Sequence, residues 1–285
     1  MYNFPIGVMT DSFRCPVREA VEKAARIGAS GLQMYCTKGE NSPENLRGAA
    51  ARELLTFVKD KGLRFSAICG DLGMGFGNKE HNAGLIDRSK RILELAKELE
   101  CDIVTTHIGV VPKDKNHDRY KIMQEACKEL ADFADSLFSH FAVETGPEEA
   151  VTLKEFLESL ESKGVSVNMD PANLVMVTGD DPVKAVYTLR DYIVHTHAKD
   201  GVMLKRGNPE YIYRVVNPVP DEFKGIRYFK EVPLGCGSVD FPAYLKALDD
   251  IGYRGYLTIE REVGCTPEAD IKKAADYIEK VISEN

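Results

Sequence analysis

Four short apolar runs in this chain each carry a side chain that can hold a metal ion or move a proton. Phe141-Ala142-Val143 ends in Glu144, and Val165-Ser166-Val167-Asn168-Met169 ends in Asp170. Val194 to Ala198 carries His197, and Gly255-Tyr256-Leu257-Thr258-Ile259 ends in Glu260. If these runs are β-strands, each terminal acid lies at the carboxyl edge of a sheet. Meeting there, three carboxylates and one imidazole would form an oxygen-rich site for one divalent cation. Mn²⁺ is the expected ion, with Mg²⁺, Co²⁺ or Zn²⁺ as alternatives, and the lack of thiolates argues against structural zinc. Acids buried this close repel one another, and a cation between them removes the repulsion.

Further polar residues stand near the same strand ends. His107 closes Thr105-Thr106-His107 and is a second metal ligand, a packed histidine or, the favoured role, a hydrogen-bond donor to substrate. Asn173 follows Asp170 by three residues, and Lys199 follows His197 by two, so both are candidates to contact substrate. Glu149 is either a substrate contact or a helix-start carboxylate, and Arg261 either a substrate clamp or a rim ion pair. His195 lies two residues before His197, on the same face and one layer deeper. It is expected to be a core histidine bonded to a backbone carbonyl. No role is assigned to His81, His117 or His140.

The elements needed to position these groups are legible as alternation. Strand-like runs at residues 5–9, 31–35, 63–68, 102–106, 141–144, 165–169, 193–198 and 255–259 alternate with helical patterns. Helices are expected at 17–27, from Pro43 behind a Ser42 cap to about 61, at 83–99, 116–138, 149–162, 182–189, 239–250 and 267–282. Eight strand–helix units without a break predict a single (β/α)₈ barrel over residues 1–285, a doubly wound open sheet being the alternative. Residues 201–237 interrupt the rhythm and form an insertion before the next helix. Its apolar groups Tyr211, Ile212, Tyr213, Val215 and Val216 suit a lid over a pocket or a contact between subunits. The glycine-dense stretch at 69–78 reads as a loop beside the site or a surface loop; it does not match a dinucleotide-binding turn.

Composition narrows the classes of partner. The 285 residues carry a net charge of −8, which disfavours binding to a nucleic-acid backbone. Seven dispersed cysteines without a Cys-x-x-Cys pair suggest reduced thiols. No signal peptide or membrane span is visible, so the expected location is cytoplasmic.

Six segments together resemble the xylose isomerase-like TIM-barrel superfamily, which includes sugar isomerases, ketose 3-epimerases and endonuclease IV. They are Thr106-His107-Ile108-Gly109, Glu144-Thr145-Gly146-Pro147-Glu148, Asp170-Pro171-Ala172-Asn173-Leu174, His197-Ala198-Lys199-Asp200, and Gly235-Cys236-Gly237-Ser238-Val239-Asp240-Phe241 with the later Thr258-Ile259-Glu260-Arg261-Glu262. The resemblance spans essentially the whole chain. It implies one metal on Glu144, Asp170, His197 and Glu260, with Glu144 and Glu260 as acid and base on opposite faces of a sugar, working through an enediolate. The substrate is then a small carbohydrate or polyol, the chain an isomerase or epimerase, and a homo-oligomer is possible. A lyase using the same site, either a keto-inositol dehydratase or a 3-keto-glycoside eliminase, is the second reading. Asn173 stands where endonuclease IV-like enzymes have a histidine, which, with the acidic charge, argues against a DNA nuclease. A barrel that binds without turnover is the remaining alternative.

Overall fold

In the computed structural model, which describes residues 2–216 and 218–284, the apolar runs pair edge to edge until the sheet closes on itself. The strands are β1 (Ile6–Met9), β2 (Gly31–Tyr35), β3 (Arg64–Cys69), β4 (Ile103–Thr106), β5 (His140–Glu144), β6 (Val165–Met169), β7 (Ile193–Ala198), β8 (Asp200–Met203), β9 (Phe229–Val232) and β10 (Leu257–Ile259). Parallel pairing runs β1-β2-β3-β4-β5-β6-β7-β10, and β10 returns to β1. The expected (β/α)₈ barrel is therefore the observed fold. Strands of three to six residues suffice because neighbours on both sides satisfy every ladder.

The outer ring contains α1 (Val17–Arg26), α2 (Ala49–Asp60), α3 (Lys79–Glu98), α4 (Asp118–Ser136), α5 (Ala150–Glu158), a short α6 (Pro171–Asn173), α7 (Pro182–Leu189), α8 (Pro209–Ile212), α9 (Phe241–Asp250) and α10 (Pro267–Ser283). Each long helix turns one apolar stripe inward. In α3 that stripe is Ile92, Leu93, Leu95 and Ala96; in α10 it is Ile271, Ala274, Ala275 and Ile278. No helix among the described residues is long and apolar enough to cross a membrane.

Several boundaries differ from the sequence reading. α2 starts at Ala49, not Pro43, because Gly48 takes a left-handed φ of 57° and the Ser42 carbonyl instead closes a turn with Asn45 and Leu46. α3 starts earlier than expected, at Lys79, where the Asn78 side chain caps the Glu80 N–H at 3.0 Å. After β6 the chain adds α6 and a wide turn at Leu174–Thr178, elements with no clear periodic signal. The insertion begins at Asp200 and contains the antiparallel pair β8–β9 together with α8.

This pair is anchored by a buried carboxylate. Asp200 accepts backbone N–H bonds from Gly201, Gly235, Gly237 and Val239 at 2.8, 3.1, 2.8 and 3.2 Å. That set explains the spacing between His197-Ala198-Lys199-Asp200 and the Gly235–Val239 turn: the acid ties the return of the insertion to the mouth of β7.

Candidate metal centre

β5, β6 and β7 are adjacent staves, and β10 follows β7. Their ends bring Glu144, Asp170, His197 and Glu260 together. One donor atom from each lies within 4.8 Å of the others, and all four residues are buried. His197 Nδ1 is 3.6 Å from Glu144 Oε1, 3.4 Å from Asp170 Oδ2 and 3.4 Å from Glu260 Oε2.

Neighbouring side chains orient each member. His197 Nε2 lies 2.9 Å from Gln33 Oε1, so the outer ring nitrogen donates to the amide and Nδ1 faces the carboxylates. Gln33 is itself held by its own amide donating to Thr105 Oγ1 at 2.9 Å. Glu144 accepts from Asn168 Nδ2 at 3.2 Å and Asn173 Nδ2 at 3.1 Å, one amide on each oxygen. Asp170 uses Oδ1 to cap α6 through the Asn173 N–H at 2.9 Å, leaving Oδ2 for the centre. Glu260 accepts from Lys199 Nζ at 2.8 Å, and the same ammonium reaches Glu262 at 2.6 Å. The turn after Glu144 requires glycine. Gly146 has φ 141°, and a Cβ there would lie 2.4 Å from that of Asn173.

Electrostatically, this is a place that demands positive charge. Burial opposes a charge on His197, yet Glu260 and Glu144 hold its pKa well above the usual histidine range. Lys199 is raised in the same way, by Glu260 and Asp170 against burial. Burial alone would raise Glu260, but Lys199 and then His197 hold it far below the ordinary carboxylate value. Three acids facing one inward imidazole nitrogen, with each acid's other contacts met, fit a divalent cation of the hard or borderline kind.

His107 lies beside the quartet, its Nε2 3.7 Å from Glu144 Oε1 and its Nδ1 3.2 Å from Asp71 Oδ2. Burial works against its charge, and Glu144 with the Asp71 bond outweighs that, pushing its pKa up to about 9. Asp71 comes from the glycine-dense loop. That loop presses on the chain after β4, where a Cβ on Gly75 would meet the Ile108 carbonyl at 2.7 Å. A cavity of about 710 Å³ opens over Asp71 and His107 and is walled by Arg119, Met123 and Tyr213. Tyr213 arrives from the insertion, its ring 5.8 Å from that of His107. The insertion's other expected apolar groups, Tyr211, Ile212, Val215 and Val216, are half-buried.

The remaining candidates divide by position. Asn173 and Lys199 touch quartet members. Glu149 stands at the start of α5, paired with Lys113 at 2.9 Å, away from the quartet. Arg261 is buried against Glu231 and Asp270, joining β10 to β9 and α10. His195 is buried one layer down as expected, but its partner is Gln33 Oε1 at 3.0 Å, not a backbone carbonyl, because the polar barrel interior offers a side-chain acceptor. Sequence reading missed Gln33, Asn168, Asp71 and Glu148. For the first two a signal existed: a lone amide inside an otherwise apolar strand.

The model of the xylose isomerase-like TIM-barrel family matches residues 21–281, and the chain belongs to that family. An inosose dehydratase of Clostridium botulinum is 26% identical over 151 residues, 52% of this chain and 48% of that protein. The match thus spans about half the length of the curated relative. Among solved structures, a xylose isomerase domain protein from Planctomyces limnophilus superposes with a TM-score of 0.78 at 24% identity, covering 99% of this chain and 98% of that one. A D-tagatose 3-epimerase-like protein gives 0.75 at 16% identity, covering 98% and 97%. At such identities these two likenesses show the fold.

Proposed function

We propose that this member of the xylose isomerase-like TIM-barrel family is a divalent-metal-dependent isomerase or epimerase of a sugar or polyol. Its chemistry would be proton transfer at a carbon next to a carbonyl. Glu144, Asp170, His197 and Glu260 would hold the ion, Mn²⁺ in the first instance. When bound, such an ion polarises a carbonyl and lowers the cost of removing the neighbouring proton.

The observation that carries this reading is the unequal support of the two glutamates within one buried quartet. Two amides hydrogen-bond Glu144, with the His107 imidazole 3.7 Å away, whereas the Lys199 ammonium bonds Glu260 directly. A pair of carboxylates in different surroundings suits opposite roles, one taking a proton and the other returning it. His107, braced by Asp71, and Lys199 supply donors for substrate oxygens. Tyr213 and the insertion cover the cavity and limit access of water.

A second reading, a lyase of the same site, draws support from the same donors, since His107 and Lys199 can each protonate a departing oxygen. The dehydratase named among the relatives favours it too. Both readings begin with loss of the same kind of proton and separate on product. Proton NMR in D₂O of the Mn²⁺-loaded protein with ketoses, aldoses, keto-inositols and 3-keto-glycosides decides between them. Deuterium beside the carbonyl together with an isomeric product supports the first reading. Release of water or an aglycone moves the assignment to lyase. No exchange with any panel member counts against both.

A further inference from the structure

The insertion carries one phenol to the candidate metal centre, that of Tyr213, and the chain fixes its position from several sides. The Tyr213 N–H closes α8 on the Pro209 carbonyl at 2.8 Å. Arg214 then turns the chain with a φ of 56°, a left-handed conformation that is costly for a residue other than glycine and tends to occur at functional sites. The Arg119–Glu210 ion pair ties α8 to the start of α4. With Ile212, the Tyr213 ring packs on Ala172, Met176 and Val177, which lie in α6 and the wide turn after Asp170.

The far end of the ring reaches the turn that follows Glu144. A Cβ on Gly146 would lie 3.0 Å from Tyr213 Oη, so the glycine also leaves room for this hydroxyl. The His107 ring stands beside it, 5.8 Å between centroids. Burial, and after it the charge of Glu144, pushes the phenol well above the usual tyrosine value, so the hydroxyl keeps its proton and acts as a donor. It makes no hydrogen bond among the described residues. Glu144 already accepts an amide on each oxygen. A cover that only kept water out would be served by phenylalanine, because a phenol held out of water without a partner loses hydration for nothing. The hydroxyl suits an acceptor oxygen carried by the substrate.

We infer that Tyr213 is a specificity-determining residue, whose hydroxyl donates a hydrogen bond to one hydroxyl or carbonyl oxygen of the substrate on the Glu144 side of the centre. The inference rests on the proposed reading in placing the substrate at the quartet. The insertion then does more than cover the site. It reads one oxygen of the ligand, and an analogue lacking that oxygen is bound less well.

Isothermal titration of the Mn²⁺-loaded chain with D-fructose, D-glucose and myo-inositol, and with the monodeoxy analogues of whichever binds most tightly, tests the contact. Tyr213→Phe removes only the hydroxyl and should weaken the tightest ligand about tenfold, the scale of one hydrogen bond, with the melting temperature unchanged. One monodeoxy analogue should bind the parent about tenfold less tightly than the full ligand. The same analogue and the full ligand should bind Tyr213→Phe equally, since a single contact is lost only once. A merely structural role would not produce that match. Tyr211→Phe, whose ring stacks on Phe223 at 4.7 Å, is the control and should change nothing. Unchanged affinity in Tyr213→Phe overturns the contact. So does a variant that weakens the full ligand and every analogue by the same factor, or a parent that binds none of the three ligands. Metal content of the same samples separates this contact from the reading it rests on. A Tyr213-dependent preference in a chain that takes up no Mn²⁺ would sink the metal centre and keep the contact; one Mn²⁺ per chain with no effect of Tyr213→Phe would do the reverse.

Discussion

Two arrangements of buried carboxylate stand at the carboxyl ends of the barrel strands, Asp200 just past β7 and Glu144, Asp170 and Glu260 at the ends of β5, β6 and β10, and they are built on opposite principles. Asp200 faces four backbone N–H groups and completes its hydrogen bonding within the chain. Glu144, Asp170 and Glu260 turn toward one another and toward a single imidazole nitrogen. The first arrangement is self-sufficient and closes the insertion. The second relies on the Lys199 ammonium, 2.8 Å from Glu260 and 3.8 Å from Asp170, and on His197, and is an arrangement that a divalent cation would complete. The type of residue does not distinguish the two; the partner it faces does. Glu148 is a third case, an acid with one donor and an idle oxygen.

Several substitutions distinguish the two arrangements experimentally. The largest effect is expected from Glu144→Gln and Glu260→Gln, each lowering turnover by about 10³-fold or more once a substrate is in hand, as loss of an acid–base group does. A steady-state assay reads it, and retained turnover in either variant contradicts the assigned roles. Asp200→Ala should act on the other side of the comparison. It strands four N–H groups and costs about 3 kcal/mol of stability in urea unfolding, while Mn²⁺ stoichiometry is kept. Gln33→Leu removes the hydrogen bond that orients His197 and should weaken Mn²⁺ binding about 10- to 100-fold with the fold intact.

The smallest effect concerns Glu148 and pH. Burial, with only the Val111 N–H and His107 opposing it, pushes this carboxyl up to about 8. Between the ordinary glutamate value and about 8 the folded chain holds a proton that the unfolded chain has released. Stability from this group is therefore full at acid pH and falls as pH rises through that window. Glu148→Gln removes the dependence, so its stability relative to the parent should improve by on the order of 2 kcal/mol from pH 5 to pH 6.5. Parallel unfolding curves at both pH values would show instead that Glu148 is ionised and satisfied in the fold.

The barrel was readable because eight apolar runs alternate with amphipathic helices, a pattern that backbone hydrogen bonding and burial translate directly. The quartet was readable for a related reason: an acid closing an apolar run has few places to go except the sheet edge. What escaped was whatever depends on approach across the barrel. Gln33 meets His195 and His197 from the far side of the interior, more than 160 positions away in sequence. Asp71 reaches His107 from an irregular loop without periodicity. Glu148 and Glu149 are adjacent in sequence, and only the turn at Gly146 and Pro147 decides which is buried and which pairs with Lys113 at the surface.

The central claim is that these four side chains hold one divalent cation through His197 Nδ1 and three carboxylates. Mn²⁺ titration by calorimetry, with metal content by mass spectrometry, on the parent chain and His197→Ala tests it most directly. One ion per parent chain, and loss of that binding in a variant whose circular dichroism is unchanged, is the predicted result. His197→Ala retaining the parent's stoichiometry and affinity would contradict the account.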